Sequence, residues 1–217
     1  MEIIPNEENI IRKSIIKIIL LGNTETGKTS LINAYAEKPF CEAALSTIGS
    51  QYFSKEKIIN ENKYCIQIWD TAGQEKYRSV NKIYIKGSKI VIFVYDVTNE
   101  NSFLDLEAFW IDYVEKILGK RAIVGIVGNK IDLLEDIQVS TERGKDYANE
   151  IGAAFLETSA KEFPTGIANF INKLVKDYID NYGEDLENEA SEDSFNLNKS
   201  QLSKASRKDN KDKSFCC

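Results

Sequence analysis

The stretch IIKIILLGNTETGKTSLINAYA, residues 15–36, decides how the rest of the chain is read. Ile15–Leu21 is apolar except for Lys17, and it fits a strand buried on both faces of a parallel sheet. Gly22–Thr29 then matches G-x-x-x-x-G-K-[ST], and Lys28–Ala36 reads as a helix. A strand, a glycine loop and a helix in that order make a phosphate cradle. The backbone N–H groups surround the phosphates, helped by the helix N-terminus. The expected contacts are Thr24, Glu25, Thr26, Gly27, Lys28, Thr29 and Ser30. Lys28 is expected to reach the β- and γ-phosphates as a catalytic cation, and the Thr29 hydroxyl to bind Mg²⁺.

Working outward, Asp70 closes an apolar run in IWDTAGQE, as a Walker-B aspartate does, and is expected to hold the same Mg²⁺. Gly73 leaves the backbone free to approach a γ-phosphate, and Gln74 is placed to orient an attacking water. The chain has no histidine, so a neutral water-positioning residue is the sensible hydrolytic assignment. Further on, Asn129-Lys130-Ile131-Asp132 follows the apolar run that ends at Val127. A carboxylate at Asp132 can pair with the N1–H and N2–H₂ donors of guanine, whereas adenine would leave it buried and unpaired. Asn129 and Lys130 are expected to frame the base and tie this loop to the phosphate loop. In Glu157-Thr-Ser-Ala-Lys161, the residues Ser159, Ala160 and Lys161 complete the base site, with the Ala160 N–H at the guanine O6.

Short β-branched runs at Cys65–Trp69, Lys89–Tyr95, Ala122–Val127 and Ala153–Leu156 alternate with helical stretches. The helices are expected at Ser102–Leu118, Thr141–Ile151 and Gly166–Tyr178, the last with Ile167, Phe170, Ile171, Leu174 and Ile179 at helical spacing. This rhythm predicts an α/β fold, a mostly parallel six-stranded sheet flanked by helices. One antiparallel pair is expected, Gln51–Ile59 with Lys63–Trp69 across Asn60-Glu61-Asn62. Residues 1–13 read as a flexible extension, 14–181 as the folded domain, and 182–217 as a disordered tail. In that tail Glu184–Asp193 carries six carboxylates and no base, and Lys199–Lys213 carries six bases against two acids.

Composition closes off several functions. With 217 residues and 42% hydrophobic content the chain can bury one core of ordinary size. A formal charge of −6 argues against nucleic acid as a partner. No apolar run approaches the roughly 20 residues of a membrane span, and MEIIPNEENIIRKS is no secretory signal. A cytosolic protein is expected. The four cysteines, Cys41, Cys65, Cys216 and Cys217, show no disulfide or zinc spacing. A metabolic phosphotransferase would need an arginine-rich lid, and no arginine lies between Lys28 and Asp70.

Taken together, these motifs resemble the small GTPases of the Ras superfamily, specifically the Rab type, over about residues 14–181. The stretches that carry the likeness are STIG at Ser46–Gly49, CIQIWDTAGQEKYRSV at Cys65–Val80, YIKGS at Tyr84–Ser88 and FVYDVT at Phe93–Thr98. The resemblance implies a monomer that binds GTP and GDP with Mg²⁺, hydrolyses GTP, and serves membrane trafficking. It implies that Thr47 contacts Mg²⁺ and the γ-phosphate in the GTP state, and that Phe40 packs on the guanine. It implies effectors at Tyr52, Trp69 and Tyr84, for which sheet packing is the plainer account. Exchange factors, GTPase-activating proteins, prenyl-escort proteins and GDP-dissociation inhibitors are the implied regulators. The terminal Cys216-Cys217 resembles a signal for two geranylgeranyl groups, hence a peripheral, lipid-anchored place on the cytoplasmic face of intracellular membranes. Glu25 departs from the pattern where Gly, Ala or Ser is usual, because that position can need a positive φ and lies near phosphates. Ala44 departs where a tyrosine usually covers the nucleotide. These departures leave a second reading, a nucleotide-dependent binding module with little GTPase activity.

Overall fold

A computed structural model describes residues 14–41, 47, 50–71, 78–184 and 186 of the chain. The apolar opening stretch forms β1, Ser14–Leu21. Its side chains divide by parity. Ile16, Ile18 and Leu20 enter one core, while Ile19 and Leu21 enter the other. From Ile18 on the strand is buried on both faces, as a central parallel strand is, whereas its first half alternates, with Ile15 exposed and Lys17 half-buried.

The loop then opens α1, Lys28–Tyr35. Next come β2, Ser50–Ile59, and β3, Asn62–Thr71, an antiparallel pair in which Ile59 faces Asn62. The turn is therefore two residues, Asn60 and Glu61, with φ of 50° and 66°. Both values are positive, as a hairpin turn matched to strand twist requires. Helix α2, Arg78–Ile85, leads to β4, Ile90–Asp96, whose seven residues are all buried.

The helix expected at 102–118 starts earlier and is not regular. It comprises α3, Glu100–Asp105, a π turn at Leu106–Trp110, and α4, Ile111–Leu118. Then follow β5, Ile123–Asn129; α5, Thr141–Glu150; and β6, Ala154–Thr158. Ser140 caps α5 by accepting a hydrogen bond from the Arg143 N–H. The last helix, α6, spans 164–184.

The six strands lie in the order β2-β3-β1-β4-β5-β6, and all pairs except β2 with β3 are parallel. Helices α1 and α6 contribute to the core on one face, and α3 to α5 to the core on the other. All five spaced apolar residues of α6 are buried. The helix outruns the expected domain end at 181, because Leu186 is 3% exposed within the same core and holds the final turn against the body. Residues 1–13 and nearly all of the expected tail, with Cys216 and Cys217, lie outside the described residues.

This strand order fixes where a ligand can sit. Chain connections leave β1 toward β3 on one side and β4 on the other, so the C-terminal end of β1 is the switch point of the sheet. Open parallel sheets bind ligands at that point, and the residue after β1 is Gly22.

Candidate nucleotide site

Two glycines give the phosphate loop its path. A Cβ on Gly22, at φ 141°, would stand 2.1 Å from the Val94 carbonyl oxygen. One on Gly27, at φ 89°, would stand 2.2 Å from Asn129 Nδ2. Neither position can hold a side chain, because the loop is pressed between β4 and the Asn129 loop. Glu25 also has a left-handed backbone, φ 64°. The positive φ foreseen at this position is present, with a carboxylate residue adopting it.

Lys28 is 5% exposed and donates from Nζ to the carbonyls of Gly22, at 2.9 Å, and Asn23, at 2.6 Å. Burial lowers its pKa to about 8, with the Asp70 carboxylate opposing the shift. Bound anionic phosphate would favour the charged form further. Asn23 is itself held by Asp105 at the end of α3, through a 2.6 Å hydrogen bond from Nδ2.

Beside the lysine, three oxygen groups converge. Thr29 Oγ1 donates to Asp70 Oδ2 at 2.7 Å and lies 2.8 Å from Thr47 Oγ1, and Thr47 reaches the same carboxylate oxygen at 3.4 Å. Burial raises the Asp70 pKa, opposed by the hydrogen bond from Thr29, the Lys28 charge and the hydrogen bond from Thr47. The other oxygen, Asp70 Oδ1, is buried without a hydrogen-bond partner among the described residues. Two hydroxyls and a carboxylate with one orphaned oxygen suit a hard cation that keeps several waters, which is how Mg²⁺ is usually held. No larger cluster of metal-ligating side chains occurs among the described residues.

On the base side, Asn129 is the joint. Its Nδ2 donates to the Thr26 carbonyl at 2.9 Å, and its Oδ1 accepts from the Ala160 N–H at 3.1 Å. Asn129 thus ties the phosphate loop to the 159–161 loop. Lys130, expected to share that tie, turns instead to Asp96 at 2.6 Å, from a backbone at φ 71°. The Ala160 N–H, expected at a guanine O6, is engaged by Asn129 here. Ser159 is fully buried, and its Oγ accepts from the N–H groups of Lys161 and Glu162.

All of these elements border one cleft of about 480 Å³, within the size range of small-molecule pockets. It gathers Thr24, Glu25, Gly27, Lys28, Thr29 and Ser30 from the loop and α1, with Phe40 and Thr47 nearby. The opposite wall carries Asn129, Lys130, Asp132, Ser159, Ala160 and Lys161. Thr26 lies fully buried behind the wall and Asp70 beneath it. Gly73, Gln74 and Ala44 lie outside the described residues. Three lining residues escaped the sequence reading: Cys41, Thr71 and Leu133. Leu133 directly follows the selector aspartate and was within reach of that reasoning. Asp96 was too, since it ends an apolar strand just as Asp70 does.

Away from the cleft, Tyr52 stacks on Trp69 with centroids 5.2 Å apart, and Trp69 meets Tyr84 at 5.9 Å. Tyr52 is 59% exposed, whereas Trp69 packs into the core beneath.

Known proteins supply the comparison. The family model described as Ras family matches residues 17–180. The chain is 37% identical to Ras-related protein Rab-3C of Bos taurus over 171 residues, 79% of this chain and 74% of that one. It is 40% identical to Ras-related protein Rab5A of Oryza sativa over 156 residues, 72% of this chain and 75% of that one. Its likeness to Ras-related protein Rab-3 of Caenorhabditis elegans is 36% over 171 residues, 79% and 77%.

Proposed function

Because the chain belongs to the Ras family, as a Rab-type small GTPase, we propose that its cleft binds GDP and GTP with Mg²⁺, hydrolyses GTP, and switches the protein between two partner-binding states. The observation that carries this reading is the convergence of Thr29, Thr47 and Asp70 oxygens within 3.4 Å, beside buried Lys28. The cleft that Thr29 and Thr47 line also holds the Asp132 carboxylate.

Lys28 and the loop N–H groups hold the β- and γ-phosphates. Thr29, Thr47 and Asp70 would hold Mg²⁺, which supplies charge neutralisation as the phosphoryl group leaves. Asp132 selects guanine, with Phe40 against the base. The Ala160 N–H can serve Asn129 and a base oxygen together, as a three-centre bond. Gln74 orients the attacking water. Thr47 and Gly73 hold the γ-phosphate, so its loss releases the segments near 44–49 and 73–81. Effectors then lose a surface that includes Tyr52, Trp69 and Tyr84. Intrinsic hydrolysis in such proteins is slow, and an arginine from an activating protein adds on the order of 10³–10⁵-fold.

The further parts of this reading are a two-lipid anchor at Cys216 and Cys217, handled by prenyl-escort and GDP-dissociation-inhibitor proteins, and work on an intracellular membrane. Among the described residues no helix is long and apolar enough to cross a membrane, so the proposed attachment is peripheral. Single-turnover hydrolysis of preloaded GTP tests the switch. Phosphate release that accelerates with an activating protein is expected. Tight GTP binding without release, even with such a protein, would leave a nucleotide-dependent binding module instead.

A further inference from the structure

Asn23 is the first variable residue of the phosphate loop, a position for which the motif prescribes no side chain. In the structure it is held at both ends. Its Nδ2 donates to Asp105 Oδ2 at 2.6 Å, across 82 residues of chain. Its carbonyl accepts from Lys28 Nζ at 2.6 Å and from Thr26 Oγ1 at 3.0 Å. A carboxylate only accepts, so the amide nitrogen must face Asp105, and the bond is charge-assisted.

An ammonium has three N–H donors. Lys28 commits two of them to the Gly22 and Asn23 carbonyls, which leaves one for a ligand in the cleft that it lines. The aim of that third donor depends on where the two carbonyls stand. Gly22 is pressed against the Val94 carbonyl of β4, where no Cβ fits. Asn23 has no regular secondary structure around it. Its support comes from α3 instead. Phe103 is fully buried and Leu106 is 1% exposed, so the backbone that carries the Asp105 carboxylate is anchored in the core. Asp105 is not among the residues that line the cleft, so any effect it has on a ligand is indirect.

We propose that Asp105 is a positioning residue for the β-phosphate, acting through Asn23 on Lys28. The carboxylate holds the amide, the amide fixes the carbonyl, and the carbonyl aims the ammonium. Without Asp105 the Asn23 side chain is free to turn, and Lys28 loses the firmness of one of its two anchors. The loss falls on the phosphate that Lys28 reaches. It spares the base, which is served from the opposite wall by Asn129 and Asp132. Preference for a diphosphate over a monophosphate thus depends on a residue far outside the motif. The proposal rests on the reading of the cleft as a guanine-nucleotide site.

The full-length chain with Mg²⁺ carries the test. The release rate of a fluorescent GDP is measured beside the affinity for GMP, which lacks the β-phosphate, by competition. Asp105→Ala should speed GDP release about tenfold, the scale of a charged hydrogen bond, and leave GMP affinity unchanged. Asp105→Asn keeps an acceptor without the charge and should speed release only about threefold. Asn23→Asp sets two carboxylates together and should speed release at least as much as Asp105→Ala does. Combining Asn23→Asp with Asp105→Asn rebuilds the pair with donor and acceptor exchanged, and should return release to within about threefold of native. Three results overturn the proposal. One is native GDP release in Asp105→Ala. A second is an equal loss of GDP and GMP affinity, which assigns Asp105 to the fold of the cleft as a whole. The third is an exchanged pair that releases GDP as fast as Asn23→Asp alone. Should Asp105→Ala fail to fold, Asp105→Asn and the exchanged pair decide the matter by the same two measurements. A native chain that binds neither GDP nor GMP overturns the reading of the cleft itself, and this proposal with it.

Discussion

The phosphate loop and the base selector face each other across one cleft, yet they work by different means. The loop acts through its backbone. Its glycines give up their side chains so that N–H groups can converge, and Gly27 lies where any Cβ would strike Asn129. The selector acts through side chains, with Asn129 bonded to both walls, Lys130 locked on Asp96 and Asp132 facing the cleft. The difference teaches where each region tolerates change. The loop rejects added volume at its glycines, while the selector rejects any loss of its polar atoms.

The harshest way to break the comparison is Gly27→Ala, which puts one methyl carbon onto Asn129 and strains a φ of 89°. It should weaken GDP binding by more than a hundredfold and destabilise the fold by about 3 kcal/mol. Isothermal titration and chemical denaturation measure the two effects separately. Asp132→Ala should leave the fold intact and weaken GDP binding about 10- to 100-fold, the scale of a lost charged hydrogen bond. It should also erase discrimination against ADP, read in a competition assay. Asn129→Ala lies between the regions and should damage both, at about 2 kcal/mol of stability from the buried donor and acceptor it abandons.

A sharper and smaller effect is expected at Glu25, the loop residue that breaks the loop's own rule. Glu25→Gly should relieve a left-handed backbone worth about 1 kcal/mol and remove a carboxylate near the phosphates. GTP binding should tighten about fivefold by release kinetics, and unchanged affinity would show that the carboxylate points harmlessly into water. Smallest is a pH effect behind the loop, at Tyr35, the last residue of α1. Burial pushes its pKa up to about 12, from an ordinary value near 10. The folded state therefore holds this proton longer than the unfolded chain does. The stability it contributes is complete below pH 10 and is lost as pH rises from 10 to 12. Absorbance at 295 nm in native and Tyr35→Phe protein isolates that titration.

How much could be read in advance follows from how local each feature is. The strand-loop-helix at 15–36 and the order of the selector are set by neighbours in sequence and stand where the sequence reading put them, and the hairpin turn does so except that Asn62 joins β3. The sixfold sheet followed from counting apolar runs. Other features depended on distant groups and left no local mark. Lys130 chooses Asp96 over the phosphate loop because β4 and β5 run side by side, pairing Asp96 with Asn129. Helix α6 extends past 181 because Leu186 finds a place in a core built from the other end of the chain. The π turn at Leu106–Trp110 is likewise invisible to a search for a 3.6-residue repeat.

That π turn makes the chain tolerant of a change that most regular helices would not absorb. It accommodates one residue more than a regular helix would over the same rise. Deleting any single residue from 106–110 would let the helix close into a regular one. Making the helix regular without removing a residue would instead rotate everything after it by about 100°, turning Val114 out of the core in which it is buried. The extra residue acts as a phase setting between two halves of one helix. The first half holds the phosphate loop through Asp105, and the second half packs on the sheet. Length variation among related chains can therefore include the loss of one residue from this segment, leaving a regular helix with both halves in place.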